Sequence, residues 1–279
     1  MDIHELVKDG IAYHIAMPGH PQNLFVKYYL ACYGHPVFGE EYVLPNNQAE
    51  VFFNLGDPCN GGVKGGDELF TFDRTVVSGL RSHRLTIKPG GVYSLAGIRF
   101  TLFGFHSLFG IPVHEFTNKT FSATDVWNNS VHSVWEQLLE AVSTAQRITT
   151  LDQWILSRIN AINIQEAKFW NKLIPGITVL KTSMQDHLAS VIGYSHKHTV
   201  KLFKEKCGLP PKLIQRVYRF NQCLLQMHEP NISWTSVCYQ SGYYDQSHFI
   251  KDFKIFTGFT PEQFLETRPE DTLLRHRFR

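Results

Sequence analysis

The sequence predicts an α+β protein: a β-rich, barrel-like N-terminal domain followed by an all-α domain with two helix-turn-helix motifs. Three observations predict it. Up to about residue 120, short aromatic and β-branched runs alternate with Gly, Pro, Asn and Asp, the make-up of strands and turns. From about residue 125 apolar residues recur at three- and four-residue steps, the period of amphipathic helices. A near repeat then occupies the C-terminal third.

The strand candidates are LFVKYYLACYG, EEYVLP, AEVFFNLGD, ELFTFDRTVVSGL and HRLTIKPGGVYSLAGIRFTLFG. The mixed apolar spacing of Tyr93–Phe100 fits a strand buried on both sides, or one at a barrel corner. Gly56, Gly61, Gly62, Gly65 and Gly66 read as a loop or hairpin connection. They lack the GxxxxGK[ST] order that cradles phosphates, so they carry no nucleotide role.

Helical periodicity begins with Val131, Val134, Trp135, Leu138, Leu139 and Val142, with Asp125 as the expected N-cap of the region. A second helix is expected from Thr150, as its cap, through Leu151, Trp154, Ile155, Ile159 and Ile162. These two helices can pack inward or form a subunit contact, and inward packing is the expectation. After Pro175-Gly176 the pattern is helical nearly to the end.

The repeat pairs Leu188-Ala189 to Lys204 with Val237-Cys238 to Lys254. Gly193 and Gly242 stand where a left-handed residue ends a helix. Ser195 and Asp245 can cap the next helix. Leu202 with Phe203, and Phe249 with Phe253, anchor that helix from inside, while the small Ala189 and Cys238 permit close helix approach. The outward face then carries His196, Lys197, Val200, Lys201 and Lys204 in one copy, and Gln246, Ser247, Ile250, Lys251 and Lys254 in the other. A single exposed lysine is ordinarily solvated surface. A cationic stripe recurring on two capped helices is the face expected to enter the major groove of double-stranded DNA. Between the copies, Pro210 to His228 reads as a helical spacer about 27 Å long with Leu213, Val217, Phe220, Leu224 and Met227 on one side.

Leu188-Ala189, Gly193, Ser195, Leu202-Phe203-Lys204, Gly208 with Pro211, Arg219 and the run GYYDQSHFIKDFKIFTG, with Pro261 and Phe264 after it, resemble the AraC/XylS family of transcriptional regulators. The resemblance implies recognition helices at 196–206 and 246–256, with Lys197, Lys201, Gln246, Ser247 and Lys251 leading the DNA contacts. Family members commonly carry arginine at Lys201 and Lys251. Lysine lacks the planar fork that reads guanine, which turns these two toward phosphates. Thr199 replaces the usual leucine and is a smaller inner anchor, and Val200 offers apolar contact to a thymine methyl. Phe52 to Asp57, Gly97 to Phe100 and Phe109 to Trp127 resemble a sensor domain attached to some members, implying a cupin-like or related β-barrel for a small molecule. The expected domains are therefore 1–125 (sensor), 126–174 (helical linker or dimerisation region), 175–268 (DNA-binding) and 269–279 (basic tail).

Charge agrees in sign. Residues 1–150 hold 10 Lys/Arg and 14 Asp/Glu, whereas residues 181–268 hold 11 and 7, placing the positive excess where a polyanion would bind. The N-terminal stretch does not read as a signal peptide, and no apolar run reaches a membrane span. Cys32, Cys59, Cys207, Cys223 and Cys238 read as buried free thiols of a cytoplasmic protein. No HExxH, GxSxG or zinc-spaced cysteine set is present. His196 and His198 point apart on a helix, while His20, His35, His83, His106 and His114 are scattered, so neither a catalytic residue, a metal nor a cofactor is expected. Arg99 and Asp57 fit either a sensor pocket or a structural ion pair. The expected partners are DNA, a small-molecule effector, the transcription apparatus and a second copy of the chain. A β-barrel enzyme and an adaptor that no longer binds DNA are the competing classes.

Overall fold

The computed structural model describes residues 1–63, 69–179, 193–227 and 233–267. Its strands are β1 (Ile3–Lys8), β2 (Ile11–Ala16), β3 (Val26–Gly34), β4 (Glu41–Val43), β5 (Glu50–Asn54), β6 (Cys59–Gly62), β7 (Leu69–Phe72), β8 (Thr75–Ser78), β9 (Leu85–Lys88), β10 (Tyr93–Phe100) and β11 (Thr120–Ser122). They form two antiparallel sheets, of order β1-β2-β3-β10-β5-β8-β11 and β4-β9-β6-β7. The barrel-like enclosure thus comes from two facing sheets. Tyr28, Phe52, Cys59, Phe72, Tyr93 and Leu95 fill the space between them.

All eight residues of β10 are buried, because the strand is central and covered on both faces. Tyr93 and Leu95 face the smaller sheet, while Ala96, Ile98 and Phe100 face a second core formed with the helices. That resolves the mixed spacing in favour of two-sided burial. Gly61 and Gly62 belong to β6 rather than to a connection. The Phe70 ring lies where a side chain on Gly61 would stand, so this strand position requires glycine. Gly65 and Gly66 lie outside the described residues.

The helices are α1 (Gly104–Phe109), α2 (Ala123–Trp127), α3 (His132–Glu140), α4 (Thr144–Leu156), α5 (Ala161–Val179), α6 (His196–Cys207), α7 (Pro211–Gln226), α8 (Trp234–Gln240), α9 (Gln246–Thr257) and α10 (Pro261–Thr267). Three expectations about caps and bounds are corrected. Asp125 lies inside α2, whose N-cap position is Ser122. Thr150 lies inside α4, where its hydroxyl bonds the Gln146 carbonyl at 3.1 Å. Ser143 caps that helix by accepting from the Gln146 N–H at 3.2 Å. The single helix expected from Thr150 through Ile162 is broken: α4 ends at Leu156 and α5 begins at Ala161, continuing through Pro175-Gly176. Inward packing holds for Val131, Val134, Leu138, Leu151, Trp154 and Ile155, whereas Leu139, Val142 and Ile162 face solvent.

Candidate nucleic-acid interface

Each proposed DNA-facing helix is built by the same local chemistry. In α6 the Ser195 hydroxyl accepts from the His198 N–H at 3.3 Å. In α9 the Asp245 carboxylate accepts from the His248 N–H at 2.7 Å. An aspartate cap also places negative charge at the positive end of the helix dipole. Gly208 and Gly258 end the helices with φ of +88° and +79°, a left-handed conformation in which glycine avoids the Cβ clash. Gly193 and Gly242, in the preceding turns, have φ of +73° and +80°. Both helices therefore run twelve residues between matched stops.

The inner faces explain the outer ones. Thr199, Phe203 and Cys207 are buried in α6, and Phe249, Phe253 and Phe256 in α9. Leu202, expected to anchor beside Phe203, is only half-buried because the register of α6 gives the inward rows to Thr199, Phe203 and Cys207. Thr199 compensates for its small size by bonding the Ser195 carbonyl at 3.2 Å. With these rows inside, His196, Lys197, Lys201 and Lys204 are exposed on α6, as are Gln246, Ser247, Lys251 and Lys254 on α9. Val200 and Ile250 are half-buried at the margins of the two stripes. Leu188-Ala189 lies outside the described residues, while Cys238 in α8 is buried.

Spacer α7 covers sixteen residues with Pro211 at its first turn, so it is about 24 Å long. It buries Ile214, Val217, Phe220, Cys223 and Leu224. Arg216 on α7 reaches Asp252 on α9, with Nη2 donating to Oδ1 at 2.6 Å and Nε contacting both carboxylate oxygens at 3.1 and 3.2 Å. Sequence reading missed this clamp. Its signal was an acidic residue seven positions after Asp245, on the face that buries Phe249, Phe253 and Phe256. A charge on an apolar face needs a partner.

A second feature not foreseen is how closely the N-terminal part holds α6 and the spacer α7. Phe203 of α6 packs edge-on to Phe103 and Trp170, at 5.4 and 6.3 Å between ring centres. Its helix thus shares the core of the β-domain and α5. Lys206, in the last turn of α6, donates to Glu166 at 2.6 Å and to the Nε2 of His106 at 3.0 Å. The Nδ1 of His106 meets the Ile111 carbonyl at 2.9 Å, which requires Nδ1–H as donor and leaves Nε2 as the acceptor for Lys206. Burial, helped by the charge of Lys206, holds His106 below the ordinary histidine pKa, against the opposing Ile111 carbonyl, Glu166 and Glu205. Thr117 donates to the carbonyl of Gly208 at 2.8 Å. Asn47 and Asn221 add bonds to Ile214 and Pro45, at 2.8 and 3.0 Å.

Arg99 and Asp57 both have partners within the N-terminal part. Arg99 is buried and pairs with Glu50 and the Tyr28 hydroxyl. Asp57 is exposed and accepts from the Val92 N–H at 2.6 Å. All five cysteines are free and buried. Among the described residues there is no group of three or more His, Cys, Asp or Glu able to hold a metal, and no helix long and apolar enough to cross a membrane.

Two capped, outward-facing cationic helices joined by a clamped spacer define a DNA-binding transcription regulator of helix-turn-helix type. Residues 188–267 match the family model described as a helix-turn-helix domain. Residues 17–122 match a model described as a domain of unknown function (DUF6597). No curated protein matches the chain. Among solved structures, ToxT from Vibrio cholerae O395 is 13% identical, with 82% of this chain and 95% of that chain covered, at a TM-score of 0.44. Unsaturated fatty acid bound wild-type ToxT from V. cholerae strain SCE256 is 12% identical, covering 85% and 94%, also at 0.44.

Proposed function

We propose that α6 and α9 occupy successive major grooves of a promoter, and that the N-terminal domain sets how they do so in response to a small molecule. His196, Lys197, Val200, Lys201 and Lys204, with Gln246, Ser247, Ile250, Lys251 and Lys254, form the contacting face. The lysines meet phosphates, and the half-buried Val200 and Ile250 meet base edges. The observation that carries the reading is the pairing of two like stripes on two like-capped helices, each tied at its C-terminal end to the N-terminal part. Such ties make a conformational change in one part felt by the other. The protein acts by binding rather than catalysis, in the cytoplasm, and recruits or obstructs the transcription apparatus. A second copy packs on the exposed apolar residues Leu139, Val142 and Ile162; a concentration-independent monomer in sedimentation, with and without DNA, would remove that element.

The test is binding of the full chain to random-sequence duplex DNA across a salt series. Lys201→Ala and Lys251→Ala should each weaken binding and lower the slope of log K against log salt by about 1, the contribution of one phosphate contact. Unchanged affinity and slope in both variants would refute the assignment of this face. Binding that is absent or insensitive to salt in the unaltered chain would favour the adaptor.

A further inference from the structure

We infer that the outer face of the smaller sheet is a binding site for a small anion, and that Arg84 transmits its occupancy to the second recognition helix. The inference rests on the DNA-binding reading and adds the chemical class and location of the effector. The site is distinct from the space between the sheets. It is a groove of about 410 Å³ lined by Tyr42, Asn60, Gly62, Arg84, Thr86 and Lys88, with Glu40 at its margin. Strand register explains its shape. Tyr42, Thr86 and Gly62 form one cross-strand row, and Lys88 and Asn60 the next. Gly62 contributes no side chain to its row, so the row dips between neighbours. The volume falls in the range of small-molecule sites.

The chemistry favours an anion. Among the described residues, two cations line the groove against the one carboxylate of Glu40, whose 3.1 Å pair with Lys88 is open to solvent, with side chains 45% and 63% exposed. An exposed pair of this kind is worth little, so a competing anion can replace Glu40 at small cost. Arg84 is held differently. Its guanidinium lies 4.5 Å from the ring centres of both Tyr42 and Phe259, which are themselves 6.0 Å apart, so it caps the touching ring pair from one side. Its Nη1 is out of contact with solvent and has no hydrogen-bond partner. A buried cationic donor without an acceptor is costly, and a carboxylate or phosphate, which accepts two parallel N–H bonds from a guanidinium, relieves that cost once Arg84 turns toward the groove.

The same guanidinium touches the end of α9. A side chain on Gly258, the C-cap, would stand 3.3 Å from Arg84 Cζ, and Phe259 follows directly. Arg84 therefore stacks beside the negative end of the α9 dipole and bridges it to the sheet through Tyr42. Turning Arg84 toward a bound anion withdraws it from Phe259 and reduces the three-way contact to the direct Tyr42–Phe259 ring pair, which weakens the bridge. Occupancy of the groove and the setting of α9 on DNA are thereby linked, and by reciprocity DNA must alter anion affinity by the same factor.

The experiment titrates the full chain with benzoate, inorganic phosphate and the neutral isostere benzamide by calorimetry, then repeats DNA binding at saturating anion. Saturable binding of benzoate or phosphate, whichever is tighter naming the source chemistry, is expected without benzamide binding. Arg84→Gln and the groove-filling Thr86→Trp should each weaken it at least tenfold. DNA affinity should change at least threefold with the anion in the unaltered chain and not in Arg84→Gln. If Arg84→Gln does not fold, Thr86→Trp decides alone. Anion binding that is absent, equal for benzamide or unaltered by Thr86→Trp would overturn the site while leaving DNA binding intact. Loss of DNA binding under every condition would instead overturn the functional reading on which the site depends.

Discussion

Replacing Asp252 by alanine tests the claim that α9 is aimed by a buried ion pair as well as by its apolar anchors. Asp252 has a side chain only 2% exposed, and its partner Arg216 is 25% exposed. Both Arg216 nitrogens of the fork engage the carboxylate, and the charge and hydrogen bond of Asp252 raise the Arg216 pKa against the opposing effect of burial. Removing one member of a buried pair costs about 3–5 kcal/mol, mainly because the other charge stays uncompensated. Arg216 keeps some contact with water, which places Asp252→Ala near the lower end, at about 3 kcal/mol. The informative control is Arg216→Met with Asp252→Ala, which removes the stranded charge while keeping most of the stem over the Phe256 ring. It should recover at least about 1 kcal/mol of the loss. Hydrogen exchange of peptides from α7 and α9 reads the effect where it occurs. Opening free energies of α9 within about 1 kcal/mol of the unaltered chain in Asp252→Ala would refute the reasoning, as would a double variant less stable than the single one.

Phe253→Ala should cost about 3–5 kcal/mol, since the ring is fully buried and packs against Phe220, Phe249 and Phe264; an unchanged thermal midpoint would deny its burial. Stability should also fall with pH. His106 is held below the ordinary histidine value, so the unfolded chain takes up its proton first and stability declines as pH drops below about 6.5. For Glu166, burial raises the pKa, but the hydrogen bond and charge of Lys206 outweigh it and the net shift is downward, so a further loss follows at more acid pH. His106→Gln should flatten the first decline in pH-dependent denaturation, and an identical profile would remove His106 as its source. Burial pushes the Cys207 and Cys238 thiols up and that of Cys223 up to about 12. A thiol-specific disulfide reagent should therefore label these three only after unfolding, and rapid labelling of the native protein would contradict their burial.

Helices α6 and α9 were legible because their signals are local. A cap, a terminal glycine and an apolar row lie within about a dozen residues, and together they dictate which lysines face out. Two-sided burial of Tyr93–Phe100 was readable in outline for the same reason: a strand without clean alternation has no solvent face. Helix ends near Asp125, Thr150 and Ile162 were misread where several polar residues compete to cap one segment and only packing selects among them. Asp252 could have been suspected from its place on an apolar face, but not its partner, 36 residues away in sequence.

By itself the sequence determined the matched helices α6 and α9 and their outward charge, since these follow from chain-local periodicity and capping. Only the tertiary structure decided that Phe203 and Lys206 are held by α5 and α1, that Arg216 meets Asp252, and that Arg84 packs against both Tyr42 and Phe259. Those contacts join residues far apart in the chain. Their formation depends on how whole elements pack, which no local spacing encodes.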